Sequence, residues 1–368
     1  MPRPSLAGSG LRASKRLFLG PAAARRGFVT DADVELARKY CLAQLHKSDY
    51  DAHLIRRFVP RPVQDAYAAL RALNVELVRL PELVSNPTIG AMRFQFWAES
   101  IDKTFAGRPP REPICILLHR ALCELEARAG SAAGQSARFW VSRLVRTRRR
   151  HMDDRPFATL QDLEAYAENT YSTLVYACLA MMPLRSVHVD HLASHVGKAC
   201  GIVAVLRGIP VLAAPARPVR TPSGAEAPST REPCLLLPLD VMADEGVTEE
   251  AVFRRGPDAP GLRDAVFKVA TRANDHLLTA RDMLRRLGQG QDAGHEFEHQ
   301  GEADHVYDEH GDAADEIRRS FGLLLEAVPA GLFLDRLEKV NFDPFAAAGS
   351  GGWRLPWRIW QALSRSRF

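Results

Sequence analysis

No aspartate or glutamate occurs before Asp31, and that absence decides how the basic charge of the chain is read. Arg3, Arg12, Lys15, Arg16, Arg25 and Arg26 all lie in the first thirty residues; without them the formal net charge of +5 becomes −1. The remaining chain has no surplus of Lys and Arg with which to neutralise a phosphate backbone, so nucleic acid is not an expected partner. Cysteine is sparse. Cys41, Cys115, Cys123, Cys178, Cys200 and Cys234 form no Cys-x-x-Cys pair and no metal-ligand spacing, which reads as buried thiols in a reducing compartment. Long apolar runs are missing too. The longest uncharged stretch, residues 169–184, falls short of the roughly 20 apolar residues that span a bilayer and carries several hydroxyls, so no transmembrane helix is expected. Alternating strand patterns are scarce, with the short apolar run 234–237 as a candidate strand.

What is present is mostly helical text. The acid-free leader mixes its basic residues with Ser5, Ser9, Ser14, Leu11, Leu17, Phe18 and Leu19. It reads as a mitochondrial transit peptide over residues 1–28, cut after Arg26-Gly27-Phe28. Beyond it, apolar residues recur at helical spacing over 34–45, from 63 onward, and over 89–105, 113–127, 137–150, 160–181, 189–206, 262–287 and 314–325. The fold class these patterns predict is all-α, a single helical domain over about 31–345. Two segments interrupt it. Residues 213–233 carry five prolines and read as a surface loop; residues 289–316 carry ten acids with no Lys or Arg and read as a disordered, self-repelling insertion. A Gly-Ser hinge at 349–352 then leads to a distinct tail, 353–368.

Several segments, weak singly, share an order and spacing. Ala69-Leu70-Arg71-Ala72-Leu73-Asn74 resembles the helix bearing the first aspartate motif of the squalene/phytoene synthase family. Met92-Arg93-Phe94-Gln95-Phe96-Trp97 resembles its "R-L-x-W-W" segment, and residues 197–207 resemble the helix of its second motif. Leu236-Leu237-Pro238-Leu239-Asp240 with Gly246-Val247 resembles "Y-L-P-x-D-x-L-x-x-x-G-V". The resemblance spans about residues 35–290 and implies a single isoprenoid-synthase-like bundle. Residues 73–77, 88–93, 166–170 and 191–199 further resemble a mitochondrial branch of that family. That likeness implies complex I subunits or assembly intermediates as partners and peripheral contact with the matrix side of the inner membrane.

Prenyl synthases of this family hold Mg²⁺ against a diphosphate with two facing Asp-x-x-x-Asp motifs, because Mg²⁺ requires octahedral oxygen and carboxylates one helical turn apart supply it. Here the positions matching the first motif are Asn74 and Val78, with Glu76 off their shared face; those matching the second are Gly208 and Leu212. No acid occurs between Asp190 and Glu226. The expectation is a pseudoenzyme with no cofactor and a vestigial pocket of Arg71, Asn74, Glu76, Val78, Tyr166, Asn169, Arg207 and Gly208. Substitute ligands from Asp153, Asp154 or Glu168 would make it a prenyl transferase instead; these acids read more simply as helix-end, solvated or capping residues. Arg71 and Arg207 match positions near the diphosphate, and the expectation is that a freed arginine pairs with a carboxylate such as Glu76. A lipid-like ligand in the bundle is the further alternative.

Three further groups stand apart. His188, His191 and His195 share one helix face and are zinc candidates, although i and i+7 lie about 10 Å apart along the axis, which favours a hydrogen-bonded row. His295, His299, His305 and His310 fall in the acidic insertion. In the tail, Trp353, Trp357 and Trp360 with Arg354, Arg358, Arg365 and Arg367 suit a helix at a membrane interface, or else dock back on the bundle as its last helix.

Overall fold

The computed structural model describes residues 29–84, 86–130, 133–184, 186–215, 219–220, 226–227, 232–294, 313–349 and 352–368. The leader and the four histidines of the acidic insertion lie outside them. The chain winds through α1 (Asp31–Ser48), α2 (Tyr50–Ile55), α3 (Gln64–Leu83), α4 (Pro87–Phe105), α5 (Pro113–Ala129) and α6 (Gln135–Arg150). There follow α7 (Leu160–Ala167), α8 (Thr173–Leu179), α9 (Val187–Leu212), α10 (Leu239–Asp244), α11 (Glu249–Arg255) and α12 (Leu262–Leu287). The last elements are α13 (Ala313–Leu324), α14 (Ala327–Lys339) and α15 (Leu355–Arg365). Helix starts are set by local chemistry. Thr30 with Asp33 and Thr159 with Asp162 form reciprocal capping boxes before α1 and α7, and Asn86 and Glu112 cap α4 and α5 just ahead of a proline at the first helical position.

Helix α9 is the axis of the bundle. It packs against α12, α7, α8, α13 and α14, while α1, α3 and α5 form a neighbouring layer that α4 and α6 extend. By length and composition α9 could cross a membrane, a possibility not visible in the length of its uncharged runs. Its place amid these helices, with Val189, Leu192, Val196, Ile202 and Leu206 buried, makes it a core helix. Between α7 and α8 the chain makes a π-helical turn, Glu168–Ser172, so that residues 160–179 run on without a break. Gly197 and Gly201 on α9 face that turn. A Cβ on Gly197 would lie 2.3 Å from Ser172 Cα, and one on Gly201 2.5 Å from Ala167 Cβ, so only glycine permits this approach. The Ser172 hydroxyl then donates to the Ser194 carbonyl oxygen at 3.0 Å.

The structure decides three points left by the sequence. Residues 234–237 form no strand; the described strands are two short ones inside the proline-rich loop, β1 (Val219–Arg220) and β2 (Glu226–Ala227), paired antiparallel. The end of the acidic segment is folded, since α13 begins at Ala313 and buries Glu316, whose carboxylate accepts from the Ser186 amide at 2.8 Å. The tail is not detached. Leu355, Ile359 and Ala362 bury one face of α15, which packs on α14, and Arg281 Nε donates to the Phe368 carbonyl oxygen at 2.9 Å.

Candidate functional site

A cavity of about 490 Å³ opens between α2, α3, α9 and α14. Arg71 is at its base, a turn before Asn74 and two before Val78 on α3, and Arg207 and Gly208 face them from α9. These five of the residues singled out from sequence come together.

Most of the charges in this cavity are spent on one another; Arg79 and Glu82, further along α3, make no ion pair among the described residues. Arg71 is buried and donates through NH1 to Glu326 Oε2 (2.6 Å) and through Nε to Asp49 Oδ2 (3.0 Å). Tyr67 donates to the other oxygen of Glu326 at 2.9 Å. Arg207 pairs with Asp51 at 2.9 Å. Burial works against a charge on Arg71, but Asp49 and Glu326 outweigh it and hold the guanidinium proton more tightly than usual. Burial drives the Glu326 carboxyl above the ordinary glutamate range despite the opposing pull of Arg71. Cys200 and Cys178, both near Glu326, are pushed well up by burial and by that carboxylate, so neither thiol is a ready nucleophile.

Asn74 is occupied as well. Its side-chain oxygen accepts from Arg148 NH2 at 2.8 Å. Arg148, buried on α6, also bonds the Tyr166 hydroxyl and lies over the Tyr166 and Tyr171 rings at 5.3 and 5.6 Å.

A sequence profile of squalene/phytoene synthase matches residues 45–361. The chain belongs to the squalene/phytoene synthase family. It is 34% identical over 274 residues to the NADH dehydrogenase (ubiquinone) complex I, assembly factor 6 of Mus musculus, covering 74% of each chain. Against the protein of the same name from Homo sapiens the identity is 32% over 306 residues, 83% of this chain and 75% of the relative. Among solved structures, a dehydrosqualene synthase in complex with ligand superposes with a TM-score of 0.61 at 13% identity, over 91% of this chain and 98% of its own. A squalene synthase from Alicyclobacillus acidocaldarius superposes with a TM-score of 0.57 at 15% identity, over 85% and 96%. These two show the shared fold.

In this member of the squalene/phytoene synthase family the donors do not fit the magnesium that the fold family implies. The α9 wall contributes Cys200, Val203, Ala204, Arg207 and Gly208 and no carboxylate. On α3, Val78 has no donor atom, and the one amide oxygen of Asn74 accepts from a guanidinium whose fixed charge opposes a second cation. Of the cavity's acids, Asp49, Asp51 and Glu326 are already engaged by arginine, and Glu82, exposed on α3, is met by no carboxylate on α9.

Other residues singled out from sequence lie elsewhere. Glu76 is not the partner of Arg71; it faces α1, where Gln44 donates to it at 3.0 Å. The i and i+5 positions of Arg71 and Glu76 point to different faces of α3, and the true partners come from 22 and 255 residues away. Tyr166 and Asn169 line a second pocket of about 330 Å³ with His151, Asp153 and Phe157, and the π turn leaves Tyr171 as that segment's contribution to the main cavity. Asn169 is held by Arg143 Nε. Glu168 stands at the C-cap position of α7, but its carboxylate turns inward and accepts from the Tyr176 and Ser194 hydroxyls at 2.6 and 2.8 Å. Asp153 pairs with Arg155 at 2.9 Å, and Asp154 sits at positive φ after α6.

The histidine row has its own partners. His195 Nδ1 lies 3.0 Å from His276 Nδ1 on α12, and His276 Nε2 lies 2.7 Å from Glu164 Oε1, while His191 is buried beside His195. His276 Nε2 and Arg272, which lies 3.2 Å from the other oxygen, hold the Glu164 carboxyl below its ordinary value although burial pushes it up. Among the described residues no group of three His, Cys, Asp or Glu has the arrangement to hold a metal ion. His276, Glu164, Arg148, Asp49 and Glu326 were not singled out from sequence, because each acquires its role from a partner on a distant element.

Proposed function

We propose that this chain is a non-catalytic member of the squalene/phytoene synthase family that serves the assembly of respiratory complex I in mitochondria, on the matrix side of the inner membrane. The observation that carries the non-catalytic reading is that the two arginines at the matched positions are paired with the cavity's own acids. Arg71 and Arg207 are satisfied by Asp49, Glu326 and Asp51, and no carboxylate on α9 remains to bring magnesium to a diphosphate. Ionisation of an allylic diphosphate rests on electrostatic stabilisation of the leaving group, and this pocket offers a diphosphate no unengaged pair of facing ligands. The assembly role and the mitochondrial location rest on the relatives named as complex I assembly factor 6; its partners would be complex I subunits or assembly intermediates.

Two measurements test the two halves separately. Purified protein incubated with farnesyl or geranylgeranyl diphosphate and Mg²⁺ releases no inorganic pyrophosphate; turnover would restore the prenyl-transferase reading. Cells lacking the chain lose assembled complex I on native gels, and normal levels would remove the assembly role. A second reading rests on the cavity itself, whose walls include Val75, Val78, Val203, Ala204, Pro329 and Ala330. They suit a lipid-like guest, and mass spectrometry of the native protein detects one if the cavity carries it.

A further inference from the structure

Helix α15 docks through Leu355, Ile359 and Ala362 and turns its aromatic face outward. Trp353, Trp357 and Trp360 are 82%, 59% and 49% exposed, whereas the two other tryptophans, Trp97 and Trp140, are buried at 6% and 1%. Trp357 and Trp360 lie 4.9 Å apart and form one patch. Indole exposed at this density is costly in water and favourable where an apolar body and a polar N–H meet different media.

Beside that face the surface is basic. A pocket of about 520 Å³ between the end of α12, the start of α13 and the chain end is lined by Arg281, Arg285, Arg318, Arg365 and Arg367, with no Asp or Glu side chain in its lining. Arg285 and Arg318 are partly neutralised by Asp282 and Asp315. Arg358, Arg365 and Arg367 make no ion pair among the described residues, although Asp335 shares with them a neighbouring pocket against α14, and Arg281 already donates to the Phe368 main-chain oxygen. The pocket's apolar floor of Leu284, Ile317 and Phe368 completes an amphiphilic cradle, cationic at the rim and greasy below.

We propose that this face is a contact surface for an anionic lipid bilayer, with Trp353, Trp357 and Trp360 in the interfacial zone and the arginine-lined pocket receiving an acidic phosphodiester headgroup. Charge complementarity selects this occupant. A neutral membrane uses the indoles alone, while a protein partner's carboxylates do not need three indoles beside them. The inference concerns a face remote from the cavity and stands whether or not the cavity is catalytically inert.

The full chain is mixed with vesicles of phosphatidylcholine containing about 30% phosphatidylglycerol, a fraction on the order used for anionic membranes, and with phosphatidylcholine vesicles alone. Binding to the anionic vesicles with a blue shift of tryptophan emission is expected, since only the three outward indoles are free to change environment. R365E/R367E weakens that binding by at least about tenfold and removes its salt dependence. W357S/W360S weakens binding and abolishes most of the blue shift, with an unchanged melting temperature confirming that the helix still docks. Equal binding to both vesicle types, no binding to either, or full binding by R365E/R367E overturns the proposal. So does a dimer in solution that W357S/W360S converts to monomer, because the indoles then belong to a second copy.

Discussion

The cavity between α3 and α9 and the outer face of α15 treat charge in opposite ways. In the cavity, Arg71 and Arg207 meet three carboxylates within 3 Å, and behind its wall the buried Arg148 is bonded to an amide and a phenol. At α15, Arg358, Arg365 and Arg367 stand beside exposed indoles with no ion pair among the described residues, where Asp335 is the one acid in the pockets they line. A site that neutralises itself is structural: its charges cost desolvation and are repaid by each other. A surface that leaves cations and aromatics unanswered has its complement in another molecule.

The contrast breaks most sharply at Glu326. Glu326→Ala leaves the buried Arg71 with only the half-buried Asp49 and the Tyr67 hydroxyl with no partner, and a loss of about 3–5 kcal/mol in chemical denaturation is expected. If the loss is within about 1 kcal/mol, roughly what an exposed pair is worth, the cavity is not self-neutralised in the sense argued. Arg148→Met keeps most of the apolar stem but strands the Asn74 carbonyl and removes the cation over two rings. About 2 kcal/mol of stability is expected to go, read by the same denaturation midpoint.

A smaller effect separates the His276 network from both. Glu164 has its proton affinity lowered in the fold by His276, Arg272 and Lys198, against the effect of burial. A carboxyl of lowered pKa contributes stability that is present above the ordinary value of 4.5 and is lost as pH falls through the folded value. Thermal melts of the wild type therefore decline more steeply than those of Glu164→Gln on acidification below pH 4.5. Parallel curves would show that the carboxylate gains nothing from its partners. The smallest effect is expected on the other side of the comparison, where W357S/W360S shifts stability by no more than about 0.5 kcal/mol because exposed side chains lose little contact.

Much of the fold is legible in the sequence. The long amphipathic helices, from α1 through α12, follow from apolar periodicity, and the 262–287 helix is found with both ends as read. The short helices α2, α10 and α11 escape because six or seven residues carry too little periodicity, and their order comes from caps such as Asp49 and Thr248 and from tertiary packing. At the site, Arg71, Asn74, Val78, Arg207 and Gly208 are legible as a group from family spacing on two helices. Their partners are not. Asp49, Glu326 and Arg148 lie on elements brought close only by the packed bundle, and sequence spacing has no term for such meetings. Tyr166 and Asn169 are misplaced: they line the second pocket, and Tyr171, within the π turn at 168–172, is that segment's residue in the cavity. In the tail, the aromatic pattern on its own leaves docking and exposure as alternatives. The structure has both, on opposite faces of one helix.

The claim on which the rest depends is that Arg71 and Arg207 are already paired and that the cavity's α9 wall is without anions. Isothermal titration of the purified chain with inorganic pyrophosphate in the presence and absence of Mg²⁺ tests it directly. No magnesium-dependent binding is predicted. Stoichiometric, magnesium-dependent uptake that Asp51→Asn or Asp49→Asn abolishes would contradict it, because those carboxylates would then be ligands to metal and not the counterions of Arg207 and Arg71.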